Sequence, residues 1–177
     1  MTRILTAAVA AMLLATPVIS PMAQTAAPAL NATAAPITNT DHQFLFKDAQ
    51  GSAYEIALAA LARQRSSRDD VKAYAARIIT DHAAYNQALQ DLGNAKGLTL
   101  PTAMTPADQV RLNSINSQAG STADASFISE AIRINAEDKR DSAEEAARTA
   151  DPDIKAFLSK FETVDAEHER MALALRR

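Results

Sequence analysis

Two of the three histidines, His82 and His168, break otherwise apolar helical stripes, and their surroundings are the part of this sequence best suited to chemistry. One stripe runs Val71, Ala75, Ile78, His82, Tyr85, Leu89, Leu92. The other runs Ile154, Phe157, Phe161, Val164, His168, Met171, Leu175. Residues three and four apart share a helix face, so each imidazole points inward, from a different helix. A buried imidazole needs partners, because an unmatched interior polar group costs about 1–3 kcal/mol. Acids stand close by. Asp81 precedes His82, and Asp165 lies three residues before His168 on the same face, with Glu167 adjacent. Glu55 borders the stripe Leu45, Ala49, Ser52, Ile56, Ala60. Glu137 and Asp138 fall where the pattern Ile128, Ile132, Ile134 weakens. The third histidine, His42, sits at a helix start and reads as surface.

Imidazoles beside carboxylates suit zinc, iron, manganese or copper. The candidate metal ligands are His82, His168, Asp81, Glu55, Glu137 and Asp165. A structural reading competes with this one: two core imidazoles satisfied by carboxylates across helices, fixing register without binding anything. In two-metal helical bundles, two helices each supply a Glu and two each supply Glu-x-x-His. Asp165-x-x-His168 matches that scheme with Asp for Glu, but Ile79 stands three residues before His82, so a complete two-metal site is not expected.

Other chemistries find little support. There is no Cys, which excludes disulfides, thiolate metal sites and a Cys nucleophile. Gly-rich phosphate loops are absent, and no G-x-S-x-G elbow exists. With 18 Lys+Arg against 21 Asp+Glu, the net charge of −3 leaves no electrostatic footprint for nucleic acid. A packed bundle gives paired carboxylates no cleft for a sugar. Arg63, Arg65 and Arg68 read as a solvated helix end, the run from Glu137 to Asp141 as an exposed face, and Tyr54, Tyr74 and Tyr85 as core-edge packing. No catalytic residue is assigned.

The elements that must position these residues are helical. Beyond Asp41 about one residue in five is Ala, with few β-branched runs. Cap signals predict five helix starts: Thr40 to Gln43 as a capping box, Ser67, Thr105-Pro106, Ser121 or Thr122, and Asp151-Pro152. The first helix is expected to reach about Gln64, the second Gly93 to Gly97, the fourth about Thr149, and the last the C-terminus. Four long helices and a short third one predict an all-α four-helix bundle of antiparallel helices.

Ahead of the bundle, Arg3 and the apolar run from Ile4 to Ala15 have the form of a signal peptide, expected over residues 1–26. Residues 27–39 are expected to be a flexible linker, and 40–177 the folded domain. No later segment is apolar enough to span a bilayer. These features predict an exported periplasmic protein, and an Ala-rich bundle suits a homodimer.

Several segments resemble the bacterial family called domain of unknown function 4142, a ferritin-like group of exported proteins. They are FLFKDAQGSAYEIALAALA (Phe44 to Ala62), DVKAYAARIITDHAAYNQAL (Asp70 to Leu89), AKGLTLP (Ala95 to Pro101) and DPDIKAFLSKFETVDAEHERMALAL (Asp151 to Leu175). The resemblance implies a ferritin-like bundle and an exported location, with His168 at the family's His position. Members carry a further His in the helix matching Ser121 to Thr149; here Glu137 or a neighbour stands in its place. The expected role is a non-enzymatic structural, stress-related or binding protein, with a metal-binding or metal-dependent redox protein as the alternative.

Overall fold

A capping box opens the first helix, α1 (Asn39–Arg65). The Thr38 hydroxyl accepts from the Asp41 backbone N–H at 3.1 Å, and the Asp41 carboxylate accepts from the Thr38 N–H at 2.9 Å. The box expected at Thr40 therefore lies inside the helix, which already includes residue 39. Thr38 and Thr40 both have a hydrogen-bonding side chain three residues on. Asp41 settles the choice, being charged and suited to the positive helix end. The structure, a computed structural model, describes residues 37–176. The expected signal peptide and most of the linker lie outside those residues.

α2 (Asp69–Ala95) starts after Arg68, which makes no side-chain cap, and is closed by Gly97 at φ 72°. Near its end Gly93 lets Leu100 approach: a Cβ there would sit 2.7 Å from the Leu100 side chain. α3 (Pro106–Asn116) has the expected Thr105 cap, accepting from the Asp108 N–H at 3.1 Å, and Pro106 in its first turn. α4 runs Gly120–Arg148. Asp151 caps α5 (Pro152–Phe161), accepting from the N–H groups of Asp153 and Ile154 at 2.9 and 3.1 Å.

The helix predicted from Asp151 to the C-terminus is instead divided. α5 stops at Phe161 and α6 covers Val164–Ala174. At Glu162 and Thr163 the backbone stays right-handed (φ −47°, ψ −35°; φ −90°, ψ −10°), so the chain keeps its course while the regular ladder is interrupted. No Pro or Gly marks the spot, which is why cap reading passes over it.

α1 packs chiefly on α2 and α4 chiefly on α6, while α5 meets α2 and α4. The described residues form an all-α bundle. Its core has two apolar halves. One gathers Leu58, Val71, Ile78, Phe127, Ile134, Ala172 and their neighbours. The other gathers Leu45, Leu89, Leu100, Ile154, Phe157 and Leu158. On α1 the boundary between them falls around Ser52, and on α2 between Ile78 and Tyr85. The residues at that boundary are polar.

Candidate functional site

α1 sends Asp48, Ser52 and Glu55 to one face at steps of four and three. Ser52 and Glu55 are buried, and half-buried Asp48 accepts a hydrogen bond from Tyr85 Oη at 2.6 Å. On α2, His82 is buried beside them. Its Nδ1 is hydrogen-bonded to Ser52 Oγ at 2.8 Å, and its Nε2 lies 3.4 Å from Glu55 Oε1 without a hydrogen bond. α4 contributes Asp138, which faces the charges of Glu55, Asp165 and Asp48. α6 contributes Asp165 and His168, one turn apart. His168 Nε2 meets Asp81 Oδ2 at 2.9 Å, its Nδ1 has no hydrogen-bond partner, and its ring centroid lies 5.5 Å from that of His82. Four carboxyls, Asp48, Glu55, Asp138 and Asp165, thus share one layer with His82.

Such crowding favours protonated carboxyls. Burial pushes Asp138 up to about 10, reinforced by the charges of Glu55, Asp165 and Asp48. Asp138 therefore keeps its proton at neutral pH. Burial and Glu55 also raise Asp165 to about 7, against the pull of His82. Asp48 rises to about 7 through burial, which the Tyr85 hydrogen bond only partly offsets. Burial opposes charge on His82, but Glu55 outweighs it, and the imidazole titrates above its usual range. His168 goes the other way: burial holds it below the usual range despite Asp81. Asp81 is kept low, since its bonds to His168 and Arg77 outweigh burial.

Of the six candidate ligands, the structure brings His82, Glu55 and Asp165 to the layer, with His168 beside it. Asp81 faces His168 and Arg77 instead of the four carboxyls. Glu137 is corrected: it lies toward solvent, bound to Arg133 at 2.6 Å, and the acid that α4 turns inward is its neighbour Asp138. Asp48 was also missed. Its signal was available, three residues after Leu45 and four before Ser52; Asp138 likewise follows Ala131 and Ile134 by seven and four. The Tyr residues pack in the core as expected, with the Tyr54 hydroxyl donating to Glu130 at 3.0 Å. Arg65 and Arg68 bind loop and helix-end acceptors.

The donor set suits a transition-metal cation, and two buried imidazole nitrogens lack hydrogen-bond partners. The geometry is open, however. Among the described residues, no group of three or more His, Asp or Glu is already drawn together to hold an ion.

The profile of the family described as domain of unknown function (DUF4142) matches residues 25–175. The chain belongs to that family. No curated protein matches this DUF4142 chain. Among solved structures it is similar to a DUF305 fragment from Deinococcus radiodurans, at 15% identity and a TM-score of 0.71. The likeness covers 80% of this chain and 97% of that one. At that identity the likeness concerns the fold alone: both are helical domains of the same architecture. Among the described residues of the DUF4142 chain, no helix is long and apolar enough to cross a membrane.

Proposed function

We propose that this is an exported, non-enzymatic protein of the bacterial periplasm with a binding role, and that its ligand is a metal cation held in the acid–imidazole layer. One observation carries the reading. His82 Nε2 and His168 Nδ1 are buried nitrogens without hydrogen-bond partners; the first lies 3.4 Å from Glu55 within the four-carboxyl layer, and the second lies beside that layer. Buried polar atoms left in this state are costly, and a cation would satisfy nitrogens and carboxylates together. Glu55, Asp138, Asp165 and His82 would hold it, with His168 the next donor. Binding would displace the proton that Asp138 holds, since metal ligands bind deprotonated. The ferritin-like resemblance supports the same reading, because that scaffold gathers acids and imidazoles from facing helices.

A purely structural role is the second reading. It is favoured by the cross-helix bonds His168–Asp81 and His82–Ser52, each of which fixes the register of one helix pair. Metal content by mass spectrometry, on protein purified without a His tag, separates the two. Near-stoichiometric metal that is lost in the His82→Ala/His168→Ala double variant is expected. A wild-type protein that is empty, and that takes up no zinc, iron, manganese or copper on titration, would leave the structural role.

A further inference from the structure

Glu55, Ser52 and His82 are buried at the centre of the polar layer while Asp48, Asp138 and Asp165 are half-buried at its margin, so anything that reaches the centre needs a route. Two clefts of about 550 and 570 Å³ flank the start of α6, and Thr163 and Ala166 line both. The first lies between α4, α5 and α6, with walls from Ala143, Ala146, Leu158 and Ala166. Asp165 also lines it, so a member of the acid layer is part of the cleft's own surface. Lys139 at its edge is already neutralised by Glu169, and Lys155 and Glu162 oppose one another in sign. A cation therefore meets a charge-balanced rim, with four carboxyls beyond it.

The second cleft reaches His168, but through closed contacts. Asp81 holds His168 Nε2 and is itself held by Arg77 at 2.5 Å, while Arg170 pairs with Glu167 at 2.6 Å. His168 is only 1% exposed behind them. Each guanidinium here is neutralised by its own carboxylate, so charge does not separate the two entrances; this one is closed by the Asp81–His168 contact, whereas Asp165 lies on the first cleft's own wall. The interruption at Glu162–Thr163 sits between the clefts, at the one place where the last helix departs from a regular ladder.

We infer that the cleft between α4, α5 and α6 is the route by which solvent and a cation reach the polar layer, with Asp165 the group they meet first. The cation half of this rests on the function proposed above; the solvent half does not. The absence of Cys provides a clean test. Ala143→Cys places a thiol in the first cleft, and Ala84→Cys places one in the second; both positions are exposed. Each full-length variant is compared before and after alkylation with a bulky maleimide, so each serves as its own folding control by circular dichroism.

The first readout is metal-free: reaction with an apolar carbodiimide, mapped by peptide mass. The carboxyl adds through oxygen to the central carbodiimide carbon while its proton passes to nitrogen. The acyl group then shifts to nitrogen, giving a stable N-acylurea with nothing lost. Glu162 at the rim is the internal control. Labelling of Asp165 is expected in the Ala143→Cys variant while its thiol is free. It falls by an order of magnitude once that thiol is alkylated, and alkylation in the second cleft leaves it unchanged. Labelling of Asp138 or Asp48 ahead of Asp165, no labelling in the layer, or indifference to the plug would each overturn the route.

The second readout is zinc uptake. Slowing by the first plug alone supports both the route and the cation. Uptake unaffected by that plug overturns the route. No uptake at all, with plug-sensitive carbodiimide labelling, sinks the cation reading and leaves the solvent route standing.

Discussion

A single carboxyl carries much of the unusual chemistry. Asp138 is raised to about 10 by burial and by three neighbouring acids, and at neutral pH it keeps its proton. An amide of the same shape is neutral without needing one. Asp138→Asn is therefore expected to fold and, without metal, to exceed the wild type in stability at pH 8 by about 1–3 kcal/mol. The wild type must keep a proton there that its unfolded chain releases. At pH 4, close to the unfolded value, the gap shrinks below about 1 kcal/mol. Asp138→Ala removes an inward carboxyl and leaves a void in the layer, which costs about 1–3 kcal/mol. Glu137→Gln, one residue away, alters only the partly exposed ion pairs with Arg133, and its effect stays within about 1 kcal/mol. Urea unfolding of the three variants at the two pH values tests this. If Glu137→Gln is the costly change, the inward acid of α4 has been misidentified.

At the scale of elements, caps explain where helices begin, and one cap does two tasks. Asp151 accepts the first N–H groups of α5 and also binds Lys96 from the end of α2 at 2.6 Å. Asp153 binds the same ammonium at 2.6 Å but from an exposed position. Asp151→Ala should cost about 1–3 kcal/mol, a cap plus part of an ion pair, with Asp153 still neutralising Lys96. Asp153→Ala should cost less than about 1 kcal/mol. Thermal unfolding of both ranks them; a larger loss for Asp153 would assign the anchoring to the ion pair rather than the cap. Such starts were legible in the sequence because Thr105-Pro106 and Asp151-Pro152 combine a side-chain acceptor with a fixed φ. The stripes also placed His82 and His168 in the interior. What periodicity could not supply was the rotation of α1 and α4 about their own axes. Neighbouring residues differ by about 100° around a helix, so a stripe with a weak end leaves adjacent acids unresolved, as at Glu137 and Asp138. The interruption at Glu162–Thr163 was invisible for another reason: it involves no breaker residue and no departure from right-handed backbone.

For the whole molecule, the acid layer and the peripheral ion pairs push stability in opposite directions with pH. Asp48, Asp165 and Asp138 have folded values near 7, 7 and 10, well above their unfolded range. Their contribution is full below about pH 4 and is lost as pH rises toward and through 7, because the unfolded chain then ionises more readily than the folded one. His82, also raised, adds to the same loss near neutrality. Asp41, Asp81, Asp141, Asp151 and Glu130 are lowered: burial disfavours their charge, but their hydrogen-bond and ion-pair partners outweigh it. Their contribution is present above about pH 4 and is lost in acid. His168, lowered by burial, likewise favours the folded state above its unfolded range and weakens it as pH falls. The metal-free protein should therefore be most stable near pH 5–6, with Tm falling by about 5–10 °C by pH 8 on the scale of a few kcal/mol for a chain of this size. A bound cation supplies the positive charge that protons otherwise provide, so saturating zinc should flatten the alkaline limb while leaving the acid limb, set by the peripheral pairs, in place. Calorimetric scans from pH 4 to 8, in chelator and then in zinc, read both limbs. A chelated protein whose Tm holds level from pH 6 to 8 would mean that Asp48, Asp138 and Asp165 do not retain protons, and the electrostatic basis for cation binding would go with them.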